Sequence, residues 1–245
     1  MSRVVVFDAA LAEEYRQRFA TARIRPERAA EVARLARRLA EPARSDRYRE
    51  VAGRLGAPWQ VVGIIHALEA SLDFGRHLHN GDPLTARTVR VPKGRPLAGD
   101  PPFAWEDSAV DALTLAGLAA WTDWSLAGTA YVLERYNGFG YRRRTPPVPS
   151  PYLWSFTTAY VSGKYVADHV WSDTAVSRQC GGMALLTALR EAGLIDVADE
   201  VETLVGARSR ACRPAGVEAV PGLDRPGVLL VAATAAQGAP PASPH

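Results

Sequence analysis

Apolar positions along the chain recur mostly at three- and four-residue spacing, the pattern of helices with one buried face. Residues 7–20 and 26–41 show it amid Ala, Glu, Arg and Leu, and Pro26 suits a helix start. Residues 45–55 predict a short helix stopped near Gly56, and 58–72 a strongly apolar one with Pro58 in its first turn. Alternation replaces helical spacing at 85–96, where Thr85, Arg87, Val89 and Val91 stand between turn signals and predict a small hairpin. Helices are predicted again over 105–116, opening on the acidic "WEDS", and over 122–136. A stretch rich in Gly, Pro and aromatics, 137–165, reads as loop, and 172–204 as a last helical region broken near Gly193. Beyond about residue 208 the chain turns to Ala, Pro, Gly and Val and predicts a loose tail. The pattern therefore predicts a mainly α fold of α+β type with one small β-hairpin. It divides into a helical extension (1–44), a main domain (45–205) and an Ala/Pro/Gly-rich tail (206–245).

Composition changes this picture little. The 245 residues, 47% hydrophobic and 22% charged, suffice for one sizeable core. A formal charge of +3 is mildly basic, and the longest basic run, Arg142 to Arg144, is too short for a nucleic-acid arm, so no nucleic-acid partner is expected. No apolar stretch reaches the ~18 residues of a membrane span. The apolar burst near the N-terminus is ended by Asp8, too early for an ordinary signal peptide. Cys180 and Cys212, the two cysteines, form neither a disulfide framework nor a zinc spacing. Neither cofactor nor metal is called for, and nothing in the pattern fixes an oligomeric state.

Chemistry enters at Glu69. On a helix over 58–72, Val61, Ile65, Leu68 and Leu72 form one apolar stripe, and Glu69 falls on its shoulder. A carboxyl held against aliphatic side chains loses hydration in its charged form, which raises its pKa towards the range of a general acid. The plain alternative is a glutamate paired with one of the 29 Lys and Arg residues. His66 lies one turn earlier and is expected further toward solvent.

Several motifs occur in an order that points beyond one glutamate. "HALEASLDF" resembles the catalytic helix of the lysozyme-like superfamily, in particular goose-type lysozymes and soluble lytic transglycosylases. "VLERYNGFGYRRR" is similar to the Tyr-Asn-x-Gly segment of the transglycosylases, and "SPYLWSFTTAYVSGKYV" to their Ser-Pro-Tyr segment. "HLHNGDPLTARTVRVPKGRP" and "PPFAWEDSAVDAL" resemble a bacterial and phage-associated branch of the superfamily. The resemblance covers roughly residues 45–190. It implies a lysozyme-like fold with a β-hairpin beside the catalytic helix, and a muramidase or lytic transglycosylase acting on the glycan strands of peptidoglycan at the cell wall or periplasm. Glu69 would protonate the oxygen between N-acetylmuramic acid and N-acetylglucosamine. Tyr136, Asn137, Tyr152 and Trp154 would contact the glycan, with His66 and His79 lining the cleft. The "G-L-M-Q" stretch of transglycosylases is missing; the His-Asn-Gly-Asp turn stands in its place. Cleavage by water, with Asp82 as second carboxylate and Thr85 or Thr88 holding the water, is slightly favoured over attack by the substrate's own 6-hydroxyl. Asp73 is a weaker second carboxylate.

Three rival readings stand beside this one. His77, His79 and Asp82 have the spacing of part of a metal-dependent hydrolase site, without a convincing fourth ligand. "RQCGG" around Cys180 faintly resembles a cysteine nucleophile, although His169 precedes it and a buried small side chain is the simpler role. The aromatics of 131–171 would also serve a glycan-binding module with no turnover.

Overall fold

The computed structural model describes residues 5–167 and 169–197. The tail expected over 206–245, and the end of the helical region expected over 172–204, lie outside the described residues. The chain is mainly helical: α1 (Ala9–Thr21), α2 (Pro26–Ala40), α3 (Pro42–Leu55), α4 (Trp59–Ala70), α5 (Trp105–Leu115), α6 (Leu126–Asn137), α7 (Pro151–Trp154) and α8 (Gly182–Glu191). Local chemistry sets many ends. The Asp8 carboxylate accepts from Leu11 N at 2.8 Å to start α1, and Ser125 does the same for α6 through Gly128 N. Proline opens α2, α3 and α7, where a missing N–H is no loss. Gly56, at φ 66°, closes α3 in the left-handed conformation that glycine adopts without strain.

Helix α4 is apolar nearly all round, and such a helix belongs in the middle of a protein. It is surrounded by α2, α3, α6 and α8, while α1 packs on α6 and α5 on α3. A side chain at Gly63 would come within 3.0 Å of the Tyr48 ring, so the glycine lets α3 lie close against α4. Leu11 and Tyr15 of α1, and Val32, Ala36 and Leu39 of α2, belong to the same core as Ile64, Ile65 and Leu68 of α4. The boundary drawn between residues 44 and 45 thus falls inside α3, and the first two helices are walls of the main core. Among the described residues, no helix is long and apolar enough to cross a membrane.

The β element lies elsewhere than expected. Residues 85–96 form no strand. Pro92 and Pro96 have no N–H for a ladder, and the Asp82 and Thr88 side chains take backbone hydrogen bonds that a partner strand would need. The hairpin is instead β1 (Lys164–Ala167) with β2 (Val170–Ser172), antiparallel and bulged between Tyr165 and Ala167. Strands of four and three residues are too short to show alternation, so this stretch, between the loop expected over 137–165 and the helical region expected over 172–204, gave no strand signal. The rings of Tyr141, Tyr165 and Trp171 meet edge to face there, which supplies packing that the short ladder lacks. Of the helix expected over 172–204, the described residues contain only α8, closed at Gly193 with φ 65°.

Candidate active site

Glu69 sits in the last turn of α4, partly exposed as a residue, with its carboxyl packed into the protein. The Tyr152 hydroxyl donates to its Oε1 at 2.8 Å. Burial pushes the Glu69 pKa from an ordinary 4.5 up to about 7, against the opposing hydrogen bond from Tyr152. Among the described residues no Lys or Arg pairs with it, so the simple surface ion pair does not describe Glu69. Tyr152 is held above its usual phenol range, first by burial and then by the Glu69 charge and by Tyr136. The tyrosine therefore keeps its proton and donates it to one carboxyl oxygen, which leaves Oε2 to carry the acid proton.

Helices α4, α7 and α8 build this arrangement. The "SP" of 150–151 starts α7, which carries Tyr152 into place beside α4. Helix α8 fits tightly because Gly181 and Gly182 have no side chains. A Cβ at Gly181 would stand 2.4 Å from the Leu153 carbonyl, and one at Gly182 about 3.0 Å from Leu133 and 3.1 Å from Ile64. Just before them Gln179 donates its amide to the Leu68 carbonyl, one of the unsatisfied acceptors at the end of α4. Ser71 and Leu72 then turn the chain out of α4, both in the left-handed region at φ 52° and 64°. Consecutive non-glycine residues there are strained by roughly 1–2 kcal/mol each, and the strain lies directly behind Glu69.

The other expected contact residues divide into three groups. Tyr136, whose hydroxyl donates to Leu78 O at 2.9 Å, and the partly exposed Asn137 end α6, and Tyr136 lies close enough to Tyr152 to act on it. Trp154 is buried in the core. His66 corrects an expectation, because it faces the interior and not solvent. Its ring is wholly buried against Phe74 and Trp105, 4.5 and 4.6 Å between centroids, and Tyr48 bonds its Nδ1 at 3.0 Å. Burial pushes its pKa down to about 4, so it is a neutral core residue. Helix direction alone cannot say which side a shoulder faces when the helix is enclosed on all sides.

The third group belongs to the segment after α4. His77 donates from Nε2 to Ala86 O at 2.9 Å, and its Nδ1 accepts from Ser108 Oγ at 2.6 Å. His79 donates from Nε2 to Asp111 at 2.7 Å; burial outweighs that carboxylate and pushes its pKa down to about 4. Asp111 is also held by Arg95 through two hydrogen bonds of 2.9 and 2.8 Å. The buried Asp82 accepts from Val89 N at 2.9 Å, Arg90 N at 3.1 Å and Arg90 Nε at 2.7 Å. Burial opposes its charge, but these bonds and the guanidinium prevail and hold the Asp82 pKa below the usual carboxylate range. Thr88 is closed on Arg95 N and Pro92 O, and Thr85 is exposed. Asp73, the weaker candidate, caps Gly75 N and pairs with Arg76. The structure thus gives Asp82 the work of tying a loop. Removing its charge should cost about 1–3 kcal/mol, so urea unfolding of Asp82→Asn is expected to show that loss.

The rival sites come apart in the same way. His77, His79 and Asp82 each face a different protein partner, and among the described residues no group of His, Cys, Asp and Glu is placed to hold a metal ion. Cys180 is buried and its thiol is pushed up to about 12, far from a thiolate nucleophile. Sequence reasoning missed another buried carboxylate, Glu134. It accepts from Tyr15 and from Arg142 at 2.8 and 3.2 Å, while Arg142 also binds Glu14 at 2.7 Å. Its signal was the unexplained acid in "VLERYNG", between residues of an otherwise apolar helix face. No protein-family model, curated protein or solved structure matches this chain.

Proposed function

We propose that the protein is a peptidoglycan glycosidase of the lysozyme-like kind, with Glu69 as the general acid that protonates the oxygen between N-acetylmuramic acid and N-acetylglucosamine. The observation that carries the reading is a carboxyl of pKa about 7 at the end of a buried helix, one oxygen held by a tyrosine hydroxyl and no cation paired with it among the described residues. A group of pKa about 7 is still about half protonated at neutral pH and releases its proton readily, the compromise that general acid catalysis favours. The order of the Glu69, Tyr136–Asn137 and Tyr152 segments along the chain supports the same reading, because it matches the order in the superfamily that they resemble. The substrate is then the glycan strand of the cell wall.

Asp82 bears on the mechanism. A carboxylate that accepts three hydrogen bonds from Val89 and Arg90 is poorly suited to hold a water or to attack. We therefore favour attack by the muramic 6-hydroxyl. Its oxygen bonds to the anomeric carbon as the glycosidic C–O bond breaks. The Glu69 proton goes to the departing oxygen, and the 6-hydroxyl proton returns to the Glu69 carboxylate. Mass spectrometry of fragments released from purified peptidoglycan tests this. A 1,6-anhydro series that persists in Asp82→Asn is expected. A reducing-end series abolished by Asp82→Asn would establish the water route instead, and retention of glycan with no release would leave a binding module.

The pH dependence follows from the same carboxyl. The acid form is needed for cleavage, so release should be steady below about pH 7 and fall up to tenfold per pH unit above it. Initial rates across pH 5 to about 9 check this, and a rate rising through that range would contradict it.

A further inference from the structure

The loop between Leu84 and Phe103 is built inside out. Many of its backbone polar groups, with the Asp82 and Thr88 side chains, are bonded inward. Thr88 N donates to Arg95 O at 2.8 Å and Gly94 N to Thr88 O at 2.7 Å, which closes residues 89–94 into a tip. Asp82 holds the near side of that tip through Val89 N and Arg90, and Asn80 donates to Arg90 O at 3.0 Å. Aliphatic side chains are turned outward: Val89, Val91 and Leu97 are 70%, 69% and 72% exposed. A loop fastened by so many polar bonds cannot fold these side chains away. Cations stand among them, and the chain carries no acid between Asp82 and Asp100, the exposed Asp100 lying 3.7 Å from Arg87 at the base of the loop. Lys93 is exposed at the tip, and the Arg90 side chain is 54% exposed while its partner Asp82 is 4% exposed. At the tip, positive charge is therefore outside, and the counter-charge of Arg90 is inside.

We infer that the 89–97 loop docks on an anionic lipid surface. Val89, Val91 and Leu97 enter the headgroup boundary, and Lys93 and Arg90 meet the lipid phosphates. Three side chains on one loop are far below the ~800 Å² per partner of a stable protein interface. Aliphatic tips flanked by cations do match a bilayer, which offers an apolar layer under an anionic one. Sugars, which stack on flat rings, would find none in this loop. The inference does not depend on the chemistry at Glu69.

Sedimentation of the full chain with liposomes tests it. Binding is expected to vesicles of phosphatidylglycerol with phosphatidylcholine, weakly to phosphatidylcholine alone, and to fall as salt rises. Val89→Ser with Val91→Ser should weaken binding at least tenfold, and Lys93→Ala about fivefold, the worth of one cation near an anionic membrane. These side chains are exposed, so both variants should melt like the parent, which a circular-dichroism melt verifies. A parent chain that stays in the supernatant overturns the inference, as does unchanged binding of the double-serine variant. Binding equally displaced by soluble polyphosphate in parent and double-serine variant would identify a polyanion site, and self-association lost in that variant without lipid binding would identify a second copy of the chain. Either also overturns it.

Discussion

Glu69→Gln should abolish glycan release, lowering the rate by about 10²–10⁴-fold, and at the same time make the protein more stable above neutral pH. Glutamine keeps an oxygen for the Tyr152 hydroxyl but cannot give up a proton, so the geometry is preserved while the acid is lost. The stability effect has its own sign. Because the folded-state pKa lies at about 7 against an ordinary 4.5, the folded protein binds Glu69's proton more tightly than the unfolded chain does. Stability associated with this group is fully present below about pH 4.5 and is lost as pH rises through about 7. The difference corresponds to roughly 3 kcal/mol at most, since the side chain retains partial access to water. Thermal melts of both proteins at about pH 4 and about pH 8 should therefore nearly coincide at the lower value and diverge at the higher, with the variant ahead. Retained turnover in Glu69→Gln would end the assignment of Glu69 as the acid. Equal melts at the higher pH would show that its carboxyl is ordinary.

Arg142→Ala is expected to be the most destabilising of the simple truncations, by about 3–5 kcal/mol. Its guanidinium, 22% exposed, spans Glu134 and Glu14, and Glu134 is only 4% exposed. Without the arginine, Glu134 remains a buried carboxylate with the Tyr15 hydroxyl as its remaining partner. The tie from the 138–150 segment to α1 goes with it. A loss of that size is a large part of the 5–15 kcal/mol of a typical domain. Replacing the pair together, Arg142→Met with Glu134→Gln, should recover most of the loss, because no unpaired charge is then left inside. Urea unfolding of the single and double variants separates the two cases; a single-variant loss below about 1 kcal/mol would make this a surface ion pair.

Residues 142–144 show how a linear charge pattern is dismantled by folding. The triple arginine, too short for a nucleic-acid arm, is split up in the fold: Arg142 turns inward to Glu134 and Arg144 lies over the Trp171 ring at 4.1 Å. The two histidines and the aspartate of "HLHNGD" read as a ligand set, yet each is taken by a partner brought from elsewhere: Ser108 and Asp111 from α5, and Arg90 from the loop. Partners so distant in sequence cannot be seen from a local spacing.

What the sequence determined by itself is the set of strongly periodic helices, from α1 through α6, and the proline, serine, aspartate and glycine residues that begin or end them. These depend on neighbours within one or two turns, and the chain carries that information locally. It also marked Glu69, because a carboxyl on the shoulder of an apolar stripe is visible at 3.6-residue spacing. The tertiary structure alone decided which way each shoulder faces. Helix α4 is enclosed by α2, α3, α6 and α8, so His66, one turn before Glu69, became core while Glu69 met Tyr152 from a helix 83 positions away. It alone moved the hairpin from 85–96 to 164–172, where three rings packed together support strands too short to announce themselves. It alone turned Asp82 from a free acid into the anchor of a loop. In each case the deciding energy is desolvation or pairing set by the folded arrangement, whether the partner is 83 residues away, as Tyr152 is from Glu69, or eight, as Arg90 is from Asp82, and such terms have no signature in helical or strand periodicity.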